Sequence, residues 1–560
     1  ETWPQGVLVI FDASADQTIP AGSYDGAIEL TGSGTKSASG NITTSGIVFD
    51  DITLDMKTFK LIPATGGFTD LAVTGSNPTL RTAFVGSFPI PDGATWTAFN
   101  MIFEADGIQR VNVGTCTNLT IGGGTGFNKR KSLSREVDIS GTLTINNDCW
   151  LESGTNNITD EYQLLGNFTV AGSGSLSTSY LDSPDRIKDP IPQGLDWSSL
   201  DQVRYENNAE RVAGGTYSKL RLNGSGNNHF TIGNVICDEL STGNEDVEVS
   251  PGDYIIGNTL THTGPGEVII EADASGYGQL KFTTNAGTSP IRKQFYIDAT
   301  PSQRWVDMST ALDGADLSDL AEPGAKIVFD VEGVGSAFEW DASIANWVQS
   351  SATGNNPAHG NRIYLGTRSG GSDIFLRDGS GVVSENATDL QTTSTSRAMY
   401  YNTGQNTTAT FVGGTDLSDT EGWNFIANPF LANYDWDAAR STLDGLIRNV
   451  YYVWNGTNYV SRNLSDLGGA GQYIAPGQGF WIQVEPSWTS GNTFPLDITH
   501  ADPTGSGSFL KTNNVEDFLS IKVSELNGPY ADEVFMQFSP ILSDEFDAGF
   551  DAVNLINAPN

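Results

Sequence analysis

From the start of the chain to about residue 282 one short phrase keeps returning: a few alternating apolar residues, a cluster of Gly, Asn, Thr and Ser, then another strand. "GNITTSGIVFDDITL" (40–54), "DISGTLTINNDCWL" (138–151), "YQLLGNFTVAGSGSL" (162–176) and "GDYIIGNTLTHTGPGEVIIEA" (252–272) are instances. The tokens "LTI" (119–121), "LTI" (143–145) and "FTV" (168–170) recur at the spacing of one solenoid coil, roughly 20–30 residues. A coil of that length cannot bury its inward face alone, so neighbouring coils stack into one continuous core. Small polar residues at the corners permit the tight bends. The pattern predicts a parallel β-helix. A row of immunoglobulin-like sandwiches gives short strands at similar spacing and stays open as the alternative.

Composition agrees with an all-β chain. At 560 residues, 38% hydrophobic and 10% aromatic, it has material for two to four cored domains. Long helical patterns of Ala, Leu, Glu and Lys are absent. The formal net charge of −38 repels phosphate backbones and anionic lipid, which argues against nucleic acid and membrane surfaces as partners. Such a surface favours solubility and divalent cations. Cys116, Cys149 and Cys237 are too few and too scattered for a disulfide framework. No 18-residue apolar run is present, so no membrane-spanning helix is predicted. The chain begins at Glu1, without Met or a signal peptide, as a mature, processed product would.

Four regions follow. Residues 1–285 read as the β-helix, with a Pro- and charge-rich insertion near 183–215. Residues 286–415 and 416–508 read as two β-sandwich units with a weak internal duplication, either separate or joined in one domain. In each, an entry strand with Trp ("RWVDM", "GWNFI") leads to an Asp-rich connection, a Trp-bearing hairpin ("FEWDASIANWVQ", "YVWNGTNYVS") and a Gly-introduced strand ("GNRIYL", "GQGFWIQV"). The stretch 435–450 is a helix candidate, with Leu443, Leu446 and Ile447 on one side. Residues 509–560 read as an incomplete sandwich or assembly segment, with two alternating strands within 517–540.

The segment 452–484 is rich in aromatics and poor in reactive groups. Tyr452–Trp454 and 458–462 read as strands around the Asn455-Gly456 turn, since a type I′ turn needs positive φ at both central residues. "GWNFIANPFLANYDWDA" (422–438), "YVWNGTNYVS" (452–461) and "IAPGQGFWIQV" (474–484) together resemble the β-rich region before the sorting domain of large proteins exported by the type IX secretion system of Bacteroidetes. The final "FDAGFDAVNLINAPN" (546–560) resembles the segment that follows it there. The resemblance implies secretion and an extracellular or outer-surface location. It implies no reaction, because that group includes adhesins, filament proteins and enzymes.

Enzymatic β-helices need carboxylates with Lys, Arg or His converging on one face of adjacent coils. The candidates are Asp182, Asp185, Asp189, Glu245, Asp246 and Glu248, with Arg186 and Lys188 nearby, and loop solvation explains them equally. His229, His262, His359 and His500 lie far apart and form no HExxH, GxSxG or Cys–His signature. "GGGTG" (122–126) lacks the Lys-Ser/Thr of a phosphate loop and reads as a coil corner. The loops 313–319 and 416–419 could hold calcium, without the spacing of an EF-hand. Trp423, Trp436, Trp454 and Trp481 are expected at strand positions in a sandwich core, with a sugar-stacking row as the other reading. No cofactor is expected.

The sequence therefore points to an exported, non-enzymatic structural or adhesive surface protein, a subunit of an extracellular filament. The alternative is a secreted carbohydrate-binding or polysaccharide-degrading β-helix protein, with surface glycans as ligands. The strand "GVLVIFDA" (6–13) and the unfinished tail after Asp517 are the segments expected to join copies of the chain into a homopolymer.

Overall fold

A computed structural model describes residues 2–3, 6–64, 70–86, 88–91, 96–123, 129–153, 162–179, 189–206, 210–224, 228–297, 304–317, 320–322, 325–326, 330–331, 334–335, 337–344, 346–351, 356–365, 381–387, 389–401, 422–454, 459–462, 472–505, 507, 518–524 and 531–537. The chain is all-β: a parallel β-solenoid of about 13 turns followed by antiparallel sheets. It divides into two compact units, one of residues 1–248 and 255–267, the other of 249–254 and 268–560.

In the first unit the repeated tokens are ladder partners. Leu119 pairs with Leu143, Thr120 with Thr144 and Ile121 with Ile145. The next coil brings Val170, not Phe168, onto Leu143. "FTV" is thus two residues out of step with "LTI". A shift of two keeps every inward residue inward, because side chains alternate with period two. Leu119, Ile121, Leu143 and Ile145 are fully buried, and Val170 is buried with them. Three parallel sheets carry the coils. One runs from Thr2–Trp3 and Val9–Phe11 through Gly22–Leu30 and Ile42–Phe49. A second includes Trp96–Phe103 and Thr115–Ile121, and the third contains the long pair Arg211–Leu222 and His229–Thr242.

The supposed insertion at 183–215 is largely built into this stack. Leu195–Trp197 pairs with Arg211–Leu222, Gln202–Tyr205 pairs with both neighbours, and Trp197 and Tyr205 are fully buried. Proline and charge reflect its bends and outward positions rather than an excursion. Residues 183–188 and 207–209 of that stretch lie outside the described residues.

Buried polar groups hold the corners. Lys36 is fully buried and its Nζ donates to the carbonyls of Ala13 (2.6 Å) and Ser33 (3.1 Å). Lys131 repeats the device with Ala105 (2.8 Å) and Gly107 (3.2 Å), and burial draws its pKa below the usual lysine value. A corner carbonyl with no ladder partner is costly when buried, and an ammonium with three donors satisfies several at once.

The second unit begins with solenoid-type pairing that extends past residue 285: Val268–Ile270 is parallel to Ile291–Lys293. The strand Ile291–Ile297 then turns to antiparallel pairing with Gly381–Ala387. Two four-stranded antiparallel sheets follow. One has the spatial order Arg304–Met308, Asn361–Leu365, Ala337–Asp341, Asn346–Gln349. The other has the order Trp423–Ala427, Gly479–Val484, Ile447–Trp454, Tyr459–Arg462. Entry strand, Gly-introduced strand and hairpin thus occupy the same places in both sheets.

The helix of the second sheet is shorter than expected. It spans Trp436–Ser441, capped by Asp435, whose side chain accepts from the Ala438 N–H. Leu446 is exposed and Ile447 already belongs to the next strand. Gly445, with φ of +74°, sits in the left-handed region that a helix cannot continue through. Trp436 is accordingly a helical residue rather than a strand one, although it is fully buried. The Asn455-Gly456 turn lies outside the described residues, while the strands on either side pair as a hairpin.

Candidate functional site

Among the described candidate carboxylates, Glu245, Asp246 and Glu248 hold neighbouring coils together. The Glu245 carboxylate accepts from the Gly224 N–H at 2.5 Å, and Asp246 accepts from the Glu267 N–H at 2.8 Å. Glu248 is bonded by the Asn228 amide. Asp189 faces Arg211 at 3.3 Å and accepts from the Gln193 amide at 2.9 Å. Asp182, Asp185, Arg186 and Lys188 lie outside the described residues. Glu245, Asp246 and Glu248 each reach about one coil away to a backbone or amide donor. That is coil-to-coil stapling.

The histidines separate into two kinds. His229 and His262 are buried in the solenoid, His262 against the Thr242 hydroxyl. Near His229 the interior is polar: Thr178 donates to the buried Glu210 carboxylate at 2.8 Å. Burial pushes the His229 imidazole down to about 4, opposed by a weaker upward pull from the Glu210 main chain. The unfolded chain therefore takes up this proton below the ordinary value of about 6.5, and the folded chain does so only near 4. Stability is full above about pH 6.5 and falls until about pH 4, by about 3 kcal/mol for this one group. Replacing His229 by Gln is expected to flatten that limb of the pH–stability curve, as measured by urea unfolding at stepped pH. An unchanged slope between pH 6.5 and pH 4 would count against it.

The other kind is half-exposed. His359 Nδ1 lies 3.1 Å from Glu339, and Arg397 approaches the same carboxylate at 3.9 Å while donating to the Trp340 carbonyl at 2.9 Å. The hydrogen bond from His359 holds the Glu339 carboxyl below the usual range. The cluster ties the hairpin strand Ala337–Asp341 to Thr395–Ala398. His500 stands half-exposed at the edge of Tyr434.

Gly123, at φ of +97°, has the Glu104 carbonyl oxygen 1.8 Å from where a Cβ would stand, so "GGGTG" begins as a coil corner; residues 124–126 lie outside the described residues. Asp313 is exposed and Asp316 half-buried, with 318–319 and the whole loop 416–419 outside the described residues. Among the described residues no group of three or more His, Cys, Asp or Glu side chains converges. Cys116 and Cys237 are buried, and burial pushes both thiols up to about 12, far from the thiolate form that reacts.

The aromatics form two cores. Trp436, Tyr451, Phe480 and Phe494 pack with Ile426 and Ile482 on one side of the second sheet. Trp423, Phe425, Tyr452 and Trp481 pack with Trp340 on the other side, with Trp347 half-buried at the margin. The residues of the quoted motifs carry internal hydrogen bonds. Asn428 donates to the carbonyls of Ala432 (2.8 Å) and Ile474 (2.9 Å), and Leu431 O accepts from Leu280 N at 2.9 Å. Asn433 takes the Tyr277 hydroxyl at 2.5 Å, and Gly477, at φ of +68°, leaves room for Phe295, 2.5 Å from where a Cβ would be. "NPFLAN" and "APGQG" thus form the seam between the aromatic sheet and the strands Gln279–Asn285 and Ile291–Ile297.

No helix of the described residues is long and apolar enough to cross a membrane. Comparison with family models, curated proteins and solved structures gives no match.

Proposed function

We propose that the chain is an exported, non-enzymatic structural or adhesive protein of the outer cell surface, and a subunit of an extracellular filament. The observation that carries this reading is the use of the solenoid's polar groups. Glu245, Asp246, Glu248, Lys36 and Lys131 bond to neighbouring coils. A stack whose charged side chains serve its own cohesion is suited to bearing load and presenting surface. The likeness of 422–438, 452–461 and 474–484 to type IX cargo supports the export route.

Assembly would proceed by strand completion. Phe518–Ser524 and Ala531–Gln537 form a sheet of two strands, with no third strand among the described residues. A lone hairpin is marginal in water, and a strand from a second copy would complete it. Val7, Leu8 and Ile10, near the first coil, are 42%, 49% and 52% exposed and offer the apolar contact. Copies carrying −38 each repel one another, so polymerisation is expected to strengthen with ionic strength. Negative-stain imaging and sedimentation of native protein, at micromolar concentration across a salt series, test this. Regular polymers that grow with salt are expected. A monodisperse monomer at every salt, or turnover of acidic or neutral polysaccharide that Asp246→Asn abolishes, would overturn the reading.

A further inference from the structure

We infer that segments 304–365 and 423–484 are two copies of one module fused as a twofold pseudo-dimer, each copy packing against the equivalent face of the other. The inference stands independently of the filament reading. In the first sheet Asp307 pairs with Arg362 and Met308 with Asn361; in the second Phe425 pairs with Trp481 and Ile426 with Phe480. In the hairpins Ala337 pairs with Ile363 and Trp340 with Trp347, while Tyr451 pairs with Ile482 and Trp454 with Tyr459. Laying one ladder on the other makes Asp307 equivalent to Phe425, Met308 to Ile426, Arg362 to Trp481 and Trp340 to Trp454. His359 then corresponds to Gln478.

With that equivalence fixed, the contacts between the copies come in reciprocal pairs. Met308 bridges to Gln478, and its counterpart Ile426 bridges to His359. Ser309 N donates to Gly477 O at 2.8 Å; the counterparts Ala427 N and Ala358 O are joined at 3.1 Å. The hairpin Trp340 packs on Trp481 with ring centroids 5.1 Å apart, and the counterpart Trp454 packs on the Arg362 guanidinium at 4.6 Å. Contact of i with j matched by contact of j with i is the signature of an isologous interface. A duplicated chain with merely similar halves has no reason to exchange three kinds of contact this way. The partner this surface is built for is a second copy of the same module, supplied by the same chain.

The geometry gives a direct test in the full chain. An antiparallel bridge holds its Cα atoms about 4.5–5.5 Å apart, within the range a disulfide spans. Met308→Cys with Gln478→Cys, and separately His359→Cys with Ile426→Cys, are each expected to lose both engineered thiols on air oxidation. The product should keep the monomer mass, with the cross-linked peptides recovered by mass spectrometry. A cross-link in only one of the two variants would show a single contact rather than a twofold. Disulfide-linked dimers or ladders would show that the partner copy comes from another chain. Either result overturns the proposal. Should a variant fail to fold, hydrogen exchange of the unaltered protein decides: the amides of Ser309 and Ala427 are expected in the same slow class. An exchange rate for one about 100-fold above the other would overturn the equivalence.

Discussion

Replacing Gly172 by Ala is expected to destabilise the solenoid by about 2–5 kcal/mol, against about 1–2 kcal/mol for Gly194→Ala. Both glycines hold a positive φ, +94° and +77° respectively, so both substitutions incur the left-handed penalty of an L-residue. They differ in what the new methyl meets. At Gly194 nothing lies within 4 Å. At Gly172 the Ile145 carbonyl oxygen stands 2.0 Å from the Cβ position. That oxygen is also the acceptor for the Gly174 N–H at 2.8 Å. Backbone cannot swing aside as a side-chain tip can, so the coil must lift and the hydrogen bond is lost with it. Hydrogen exchange of the amides in Thr142–Ile145 and Thr169–Gly172 measures the opening locally, which matters because a stack of repeats need not unfold in one step. Equal effects at the two positions would mean that coil spacing at Gly172 is slack, contrary to the tight stacking described.

Tight stacking also explains why the solenoid is legible in sequence and its details are not. Strand tokens reveal an inward face because burial selects apolar residues at alternate positions, and Leu119 and Leu143 stand out by that rule. Register is set by corner length, and corner length is read only from what stacks, so the tokens alone align Phe168 with Leu143 where the ladder places Val170. The stretch around Trp197 carries Pro and charge, yet belongs to the coils. Local composition reports bends and outward positions; it does not report whether the chain leaves the stack.

Polar residues are the least legible. Lys36 and Lys131 look like any surface lysine in sequence, because the carbonyls that justify their burial lie about one coil earlier. Glu245, Asp246 and Glu248 look like a candidate acidic face for the same reason: their partners Gly224, Glu267 and Asn228 are distant in sequence. The duplication is visible through Trp and Gly landmarks. The twofold is not, since Arg362 and Trp481 share no chemistry. Only the ladder shows them to be equivalent.

Arg362→Met is expected to cost the second unit about 3–5 kcal/mol. Arg362 and Asp307 are 1% and 0% exposed, with Nε 3.9 Å from Oδ1, so solvent screens neither charge. Two effects contribute, and their magnitudes separate them. Loss of the guanidinium over Trp454 removes a cation–π contact of about 1–2 kcal/mol, which the polarizable Met sulfur partly replaces. Removing the cation 3.9 Å from a carboxylate in a low-dielectric core costs more than that. Asp307→Asn is therefore expected to cost less than Arg362→Met, because the guanidinium it leaves behind still lies on the Trp454 face, 4.6 Å from the ring centroid. The double variant Asp307→Asn, Arg362→Met removes both charges, and it is expected to be more stable than Arg362→Met alone. Such a result gives a coupling energy of about 2 kcal/mol in the mutant cycle. Urea unfolding followed by tryptophan fluorescence supplies the four values. Additive costs would mean that the two charges do not sense each other.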